Sequence, residues 1–154
     1  MKTCNATNRG GSPVLLTALA ALSLLAPRSH GDDFESGLSQ WQTTGNWGLT
    51  TSRYASPTHS VTDSPGAFYT NNSDSSLTLG NGINLSAMAR PALAFQHSYE
   101  LESGYDFGRV EISTDGGTSW QPAPLASYSG TRAAMTREQL DLAAFGSSSN
   151  FKIR

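Results

Sequence analysis

The clearest pattern along the chain is "LAFQHSYEL", in which Leu93, Phe95, His97, Tyr99 and Leu101 alternate with Ala94, Gln96, Ser98 and Glu100. Alternation with period two places one set of side chains on each face of a pleated ribbon, so this stretch predicts a half-buried strand. "GRVEIST" repeats the pattern, with Val110 and Ile112 on one face and Arg109, Glu111 and Ser113 on the other, and "NFKIR" does so through Phe151 and Ile153. The shorter apolar pairs Leu77 and Leu79, Ile83 and Leu85, and Leu140 and Leu142 predict further strands or strand ends. Between them lie "TNNSDSS", "GNG" and "ESGYDFG", whose Gly, Asn, Asp and Ser favour turns. Many short strands separated by such turns predict an antiparallel all-β sandwich. Only "TREQLDLAAF" has helical character, for a turn or two at most. The chain has no internal repeat.

The first 31 residues break this pattern. Lys2 and Arg9 precede the apolar run "PVLLTALAALSLLAP", and Ser29 and Gly31 are small residues suitably placed for a cut before Asp32. The run is short for a membrane span, so residues 1–31 read as a signal peptide rather than a retained anchor. Residues 32–154 then have the size of one domain. That segment holds all twelve Asp and Glu but only seven of the ten Lys and Arg, a net charge of about −5 that disfavours nucleic acid as a partner. The single cysteine, Cys4, precedes the apolar run. An exported chain without a disulfide framework has to draw its rigidity from core packing or a bound ion. The expected location is therefore secreted or cell-surface, and bacterial, with no membrane span once the leader is removed.

Among the candidate sites, "STDGGTSW" matches the S-x-D-x-G-x-x-W pattern of the Asp box and resembles the hairpin turns repeated around sialidase propellers. Ser113, Asp115, Gly116, Gly117 and Trp120 are read as turn chemistry: an Asp side chain accepting from turn amides, glycines at positive φ, and a Trp packed beneath. A propeller requires the motif several times, and here it occurs once. His97 and Glu100 have an H-x-x-E spacing, but on a strand residues three apart face opposite ways, so a shared zinc is disfavoured. No H-E-x-x-H and no G-x-S-x-G is present, so catalysis has no positive signal. Trp47, Tyr54 and Tyr69 are available for a carbohydrate platform, although large aromatics such as Trp41 and Trp47 more commonly serve the core. Asp33, Glu35 and Asp106 sit in turn-rich stretches. By spacing alone they read as solvated charges, while oxygens gathered from distant loops are also what calcium takes, about six to eight of them.

Read together, "DDFESGLSQWQTTGNWGL", "INLS", "PALAFQHSYELESGYDFGRVEISTDGGTSW" and "LDLAAF" followed by "FKIR" resemble the MAM-like jelly-roll domains appended to secreted bacterial peptidases of the immune inhibitor A type and to related surface proteins. The resemblance implies an antiparallel two-sheet jelly-roll β-sandwich with no catalytic centre, used for binding, adhesion or support of a neighbouring peptidase. It also implies a calcium site near Asp33 and Glu35, while Asp106 stays a metal candidate on its residue type and Gly-flanked loop alone. Members of that family continue past the strand matching "NFKIR". The expectation is therefore that residues 32–154 form a domain lacking its final strand, in a longer protein. Two functions follow. One is a non-catalytic extracellular module binding a surface glycan or protein, or supporting a peptidase domain. The other is the N-terminal part of a secreted hydrolase, peptidase or sialidase-like, whose catalytic part lies beyond residue 154.

Overall fold

Ten short strands and two single 3-10 turns make up the regular structure in the computed structural model, which describes residues 30–66, 68–70 and 72–154. All but the last two residues of the expected signal peptide lie outside the described residues. The strands are β1 (Trp41–Thr44), β2 (Gly48–Thr50), β3 (Ser60–Thr62), β4 (Ser76–Leu79), β5 (Ala92–Glu100), β6 (Gly108–Val110), β7 (Ile112–Ser113), β8 (Ala126–Tyr128), β9 (Thr131–Asp141) and β10 (Lys152–Ile153). Every strand pair is antiparallel: β1 with β4, β2 with β3, β5 with β9, β6 with β8, and β7 with β10. The protein is all-β, with the antiparallel architecture of a β-sandwich.

The longest ladder, β5 with β9, shows how the period-two pattern is used. Leu93, Phe95, His97 and Tyr99 of β5 lie opposite Leu140, Glu138, Thr136 and Arg132 of β9, all half-buried. Over this face lies β8, whose Tyr128 ring meets His97 edge-on with centroids 4.6 Å apart and Tyr99 at 5.6 Å. Between His97 and Tyr99 the register slips, because β9 uses four steps, from Thr136 to Arg132, where β5 uses two. The extra residues form a bulge around Ala134, whose carbonyl accepts from the Thr136 hydroxyl at 3.1 Å.

The second layer runs β8, β6 and β7, then β10. Leu125 N–H donates to the Val110 carbonyl at 2.7 Å and Gln121 N–H to that of Ile112 at 2.8 Å, joining one edge of the central strand to the β8 side. On the other edge Glu111 and Arg154 exchange both backbone bonds, at 2.8 and 3.0 Å. Beyond β10, Phe151 exchanges the same pair of bonds with Ile83, at 2.8 and 2.9 Å. Between the layers Leu85, Ile112, Leu142 and Phe151 are buried together, and Ile83, Met88, Leu93, Leu125, Phe145 and Ile153 pack against them.

Two expectations need correction. "TREQLDLAAF" is not helical: Thr136–Asp141 belongs to β9, and only Ala143–Phe145 forms a single 3-10 turn. Glu138 and Leu140 are half-buried and Leu142 is buried, while Arg137, Gln139 and Asp141 are exposed. The helix-forming residues Glu138 and Gln139 are overruled by pairing along the whole of β5. Leu85, read as part of a strand end, instead opens a 3-10 turn over Leu85–Ala87, capped by the Asn84 side chain, which accepts from Ser86 N–H at 3.0 Å.

Candidate functional site

The Asp box closes the β7 end of the second layer. Ser113 is fully buried, and its hydroxyl donates to Asp115 Oδ1 at 2.7 Å while accepting from Gly117 N–H at 2.7 Å. The Asp115 carboxylate accepts from Ser119 N–H at 2.9 Å and from the Ser119 hydroxyl at 2.6 Å. These donors, led by the Ser119 hydroxyl, pull the Asp115 pKa down to about 2. Gly116 and Gly117 have φ of +77° and +92°, where a Cβ is strained. At Gly116 the added carbon would also press on the Asn150 side-chain amide. Trp120 is half-buried, with the Arg154 guanidinium 4.3 Å above its ring. Sequence reasoning missed Asn150, whose carbonyl accepts from Gly116 N–H at 2.8 Å and ties the turn to the C-terminal segment. The arrangement is a rigid turn whose polar groups face one another.

The acidic start of the domain is a clamp between loops. Glu35 Oε1 accepts from Thr58 N–H at 3.0 Å and His59 N–H at 2.8 Å, and Oε2 from the Thr58 hydroxyl, with His59 Nδ1 3.0 Å away. The Thr58 hydroxyl bond, followed by His59, holds the Glu35 carboxyl well below the ordinary range. Asp33 Oδ1 accepts from Glu35 N–H at 3.1 Å, and Asp32 accepts from Phe34 N–H and from the Trp41 indole N–H, both at 2.8 Å. These bonds fix Phe34 at a φ of +62°, which a non-glycine residue holds only when its surroundings compel it. A shallow, open depression of about 460 Å³ beside them is lined by Gly31, Asp32, Asp33, Ser36 and Gln40. Asp106 is elsewhere, accepting from the Tyr69 hydroxyl at 2.7 Å. Among the described residues no three His, Cys, Asp or Glu side chains gather at one point. The structure thus brings Asp33 next to Glu35 and does not bring Asp106 to them as a metal cluster.

The same Tyr69–Asp106 bond assembles a different surface. Tyr69 meets the 101–107 loop twice, the second time through Glu102 N–H, which donates to its hydroxyl at 3.4 Å. The carboxylate of Asp106 raises the Tyr69 pKa. On either side of these contacts, Phe68 is 92% exposed, Tyr105 79% and Phe107 45%. The loop beneath is held at its base. Tyr105 and Asp106 N–H both donate to the Glu102 carbonyl, at 3.1 and 3.0 Å, Gly104 N–H donates to Ser129 Oγ at 2.8 Å, and Leu101 N–H to the Gly130 carbonyl at 2.9 Å. Arg109 lies 5.3 Å from the Phe107 ring centroid and steadies it. Of the aromatics considered for a carbohydrate platform, Tyr54 is exposed, Trp47 and Tyr69 are half-buried, and the Trp47 indole nitrogen is buried with no hydrogen-bond partner among the described residues. Phe68, Tyr105 and Phe107 escaped sequence reasoning, although "ESGYDFG" places two aromatics in a Gly-bounded loop with no alternation to bury them.

Among the described residues no helix is long and apolar enough to cross a membrane. The chain matches no family model, no curated protein and no solved structure.

Proposed function

We propose that the protein is a secreted or cell-surface binding module without a catalytic centre, in keeping with the MAM-like resemblance, and that it engages a surface glycan or protein through the 68–70 and 101–107 loops. The observation that carries this reading is the exposure of Phe68, Tyr105 and Phe107 on two loops locked together by the Tyr69–Asp106 hydrogen bond. Exposed aromatics on anchored loops mark recognition surfaces, because exposing them to water has a cost that a ligand removes. The groups that look reactive have structural duties: Glu35 and His59 tie the start of the domain to the loop before β3, and Ser113 is sealed inside the Asp box. A jelly-roll connectivity and a role beside a neighbouring peptidase belong to the same proposal.

The test is retention of the purified protein on bacterial envelopes and on extracellular matrix. The triple variant Phe68→Ala/Tyr105→Ala/Phe107→Ala should be retained about tenfold less, a loss of roughly 1.4 kcal/mol. Equal retention of variant and parent removes this face as the binding surface, and no retention of either removes the binding reading.

Calcium, carried over from the resemblance, is a separate proposal. An ion at Asp33 and Glu35 has to displace donors that Glu35 already accepts from Thr58 and His59. A thermal midpoint higher in calcium than in EDTA supports the ion, and equal midpoints dispose of it.

A further inference from the structure

Resting on that binding reading, we propose that the ligand of the 68–70 and 101–107 loops is a neutral polysaccharide, with sugar rings stacked on Tyr105, Phe107 and Phe68 and hydroxyls donated to Asp106 and Glu102. The apolar surface here is broken up. Between the exposed rings of Tyr105 and Phe107 sits Asp106, and the exposed Glu102 lies three residues before Tyr105. The centre of a protein–protein interface is depleted of such charges, since each has to be desolvated against an apolar partner. A pyranose differs from an apolar protein surface in this respect. It offers a C–H face to an aromatic ring and hydroxyl donors around its rim, so aromatics and carboxylates side by side match it.

Each carboxylate has capacity for this. Asp106 receives the Tyr69 hydroxyl on Oδ2, and among the described residues no hydrogen bond reaches its Oδ1. Glu102 uses its backbone within the loop and is otherwise exposed. Charge narrows the ligand further. Glu102 and Asp106 stand on this loop and Glu100 ends β5 just before it, against Arg109, whose guanidinium is placed over Phe107. The surplus of negative charge repels uronate-rich, sulfated or phosphorylated chains. The bonds from Gly104 to Ser129 and from Leu101 to Gly130 hold the loop in place before any ligand arrives, which lowers the entropy lost on binding.

The experiment is affinity electrophoresis of the full-length protein through gels containing hydroxyethylcellulose, xylan, galactomannan or mixed-linkage β-glucan, with polygalacturonate as the acidic comparison. At least one neutral polymer should retard the protein while polygalacturonate does not. Tyr105→Ala and Asp106→Asn should each weaken the retardation about tenfold at an unchanged thermal midpoint, whereas Tyr105→Trp should preserve it. Envelopes treated with periodate, which cleaves vicinal diols, should no longer retain the protein, and protease-treated envelopes should. Retardation by none of the neutral polymers, retardation by polygalacturonate alone, or insensitivity to Tyr105→Ala overturns the proposal. Retention that survives periodate and is lost to protease overturns it while leaving the binding module in place, with a protein as ligand. Loss of retention on every surface overturns both.

Discussion

At Gly116 a single hydrogen atom in place of a side chain keeps the Asp box closed. Gly116→Ala combines strain at a φ of +77° with a close contact to the Asn150 side-chain amide. Gly104→Ala meets similar strain, at a φ of +79°, but no atom within 4 Å of the added carbon. Each should therefore cost about 1 kcal/mol from backbone strain, the exposed Asn150 amide turning aside at Gly116, when both are measured by urea denaturation. Glu35 acts at the same scale through protonation. Its carboxyl is depressed in the folded protein by the Thr58 hydroxyl and His59. The stability it contributes is thus present above the ordinary carboxylate pKa and lost as pH falls below it toward the folded-state value. Glu35→Gln should lower the thermal midpoint at pH 6, and the gap to the parent should narrow as pH is lowered from about 5 toward 2. A gap independent of pH would mean that the Glu35 charge is not what the loop relies on.

At the scale of elements, the β5–β9 ladder joins an apolar half to a titratable half. Toward Leu93 and Leu140 it meets the core, while toward the bulge it holds His97, Glu138, Arg132 and Tyr99 under Tyr128. His97 Nε2 and Glu138 Oε2 are 3.0 Å apart. Among the described residues the ring nitrogen makes no well-aligned hydrogen bond, so the two groups interact chiefly through proximity. Burial lowers the His97 pKa against the opposing pull of Glu138, and burial followed by Glu138 raises that of Tyr128. Between the folded and unfolded pKa values of His97 the unfolded chain binds more protons. Stability from this residue is therefore complete above a pH of about 6.5 and declines as pH falls through that value. His97→Gln should flatten the dependence of the urea midpoint on pH between about 7 and 5, whereas an unaltered slope would assign it to other groups.

Over the whole molecule, stability and recognition are drawn from different residues. Phe151 and Ile112 are 2% and 1% exposed and lie together in the core. Phe151→Ala should cost roughly 3–5 kcal/mol, a large part of the 5–15 kcal/mol usual for a domain, and Phe68→Ala should change stability by less than about 0.5 kcal/mol. Denaturation of the two variants side by side tests the division, and comparable losses would mean that Phe68 belongs to the core.

How much of this was legible in the chain depended on how far apart the interacting residues lie. The Asp box is bonded within itself over two to four residues, so "STDGGTSW" could be recognised from composition and spacing. β5 announces itself because its half-buried apolar and aromatic side chains, Leu93, Phe95, His97 and Tyr99, recur every second residue. The start of β9, "TRAAM", carries no such alternation, since its bulge breaks the period, and it became visible only beside β5. Glu35 and His59 are 24 residues apart, Tyr69 and Asp106 are 37, and Glu111 and Arg154 are 43. Local physics settled the all-β class, the turn chemistry and the alternating faces, because backbone propensity and side-chain period act over a few residues. The tertiary structure alone decided which acids became clamps and which aromatics were left in solvent. Those outcomes depend on which distant loops approach one another, and no short stretch of chain encodes that approach.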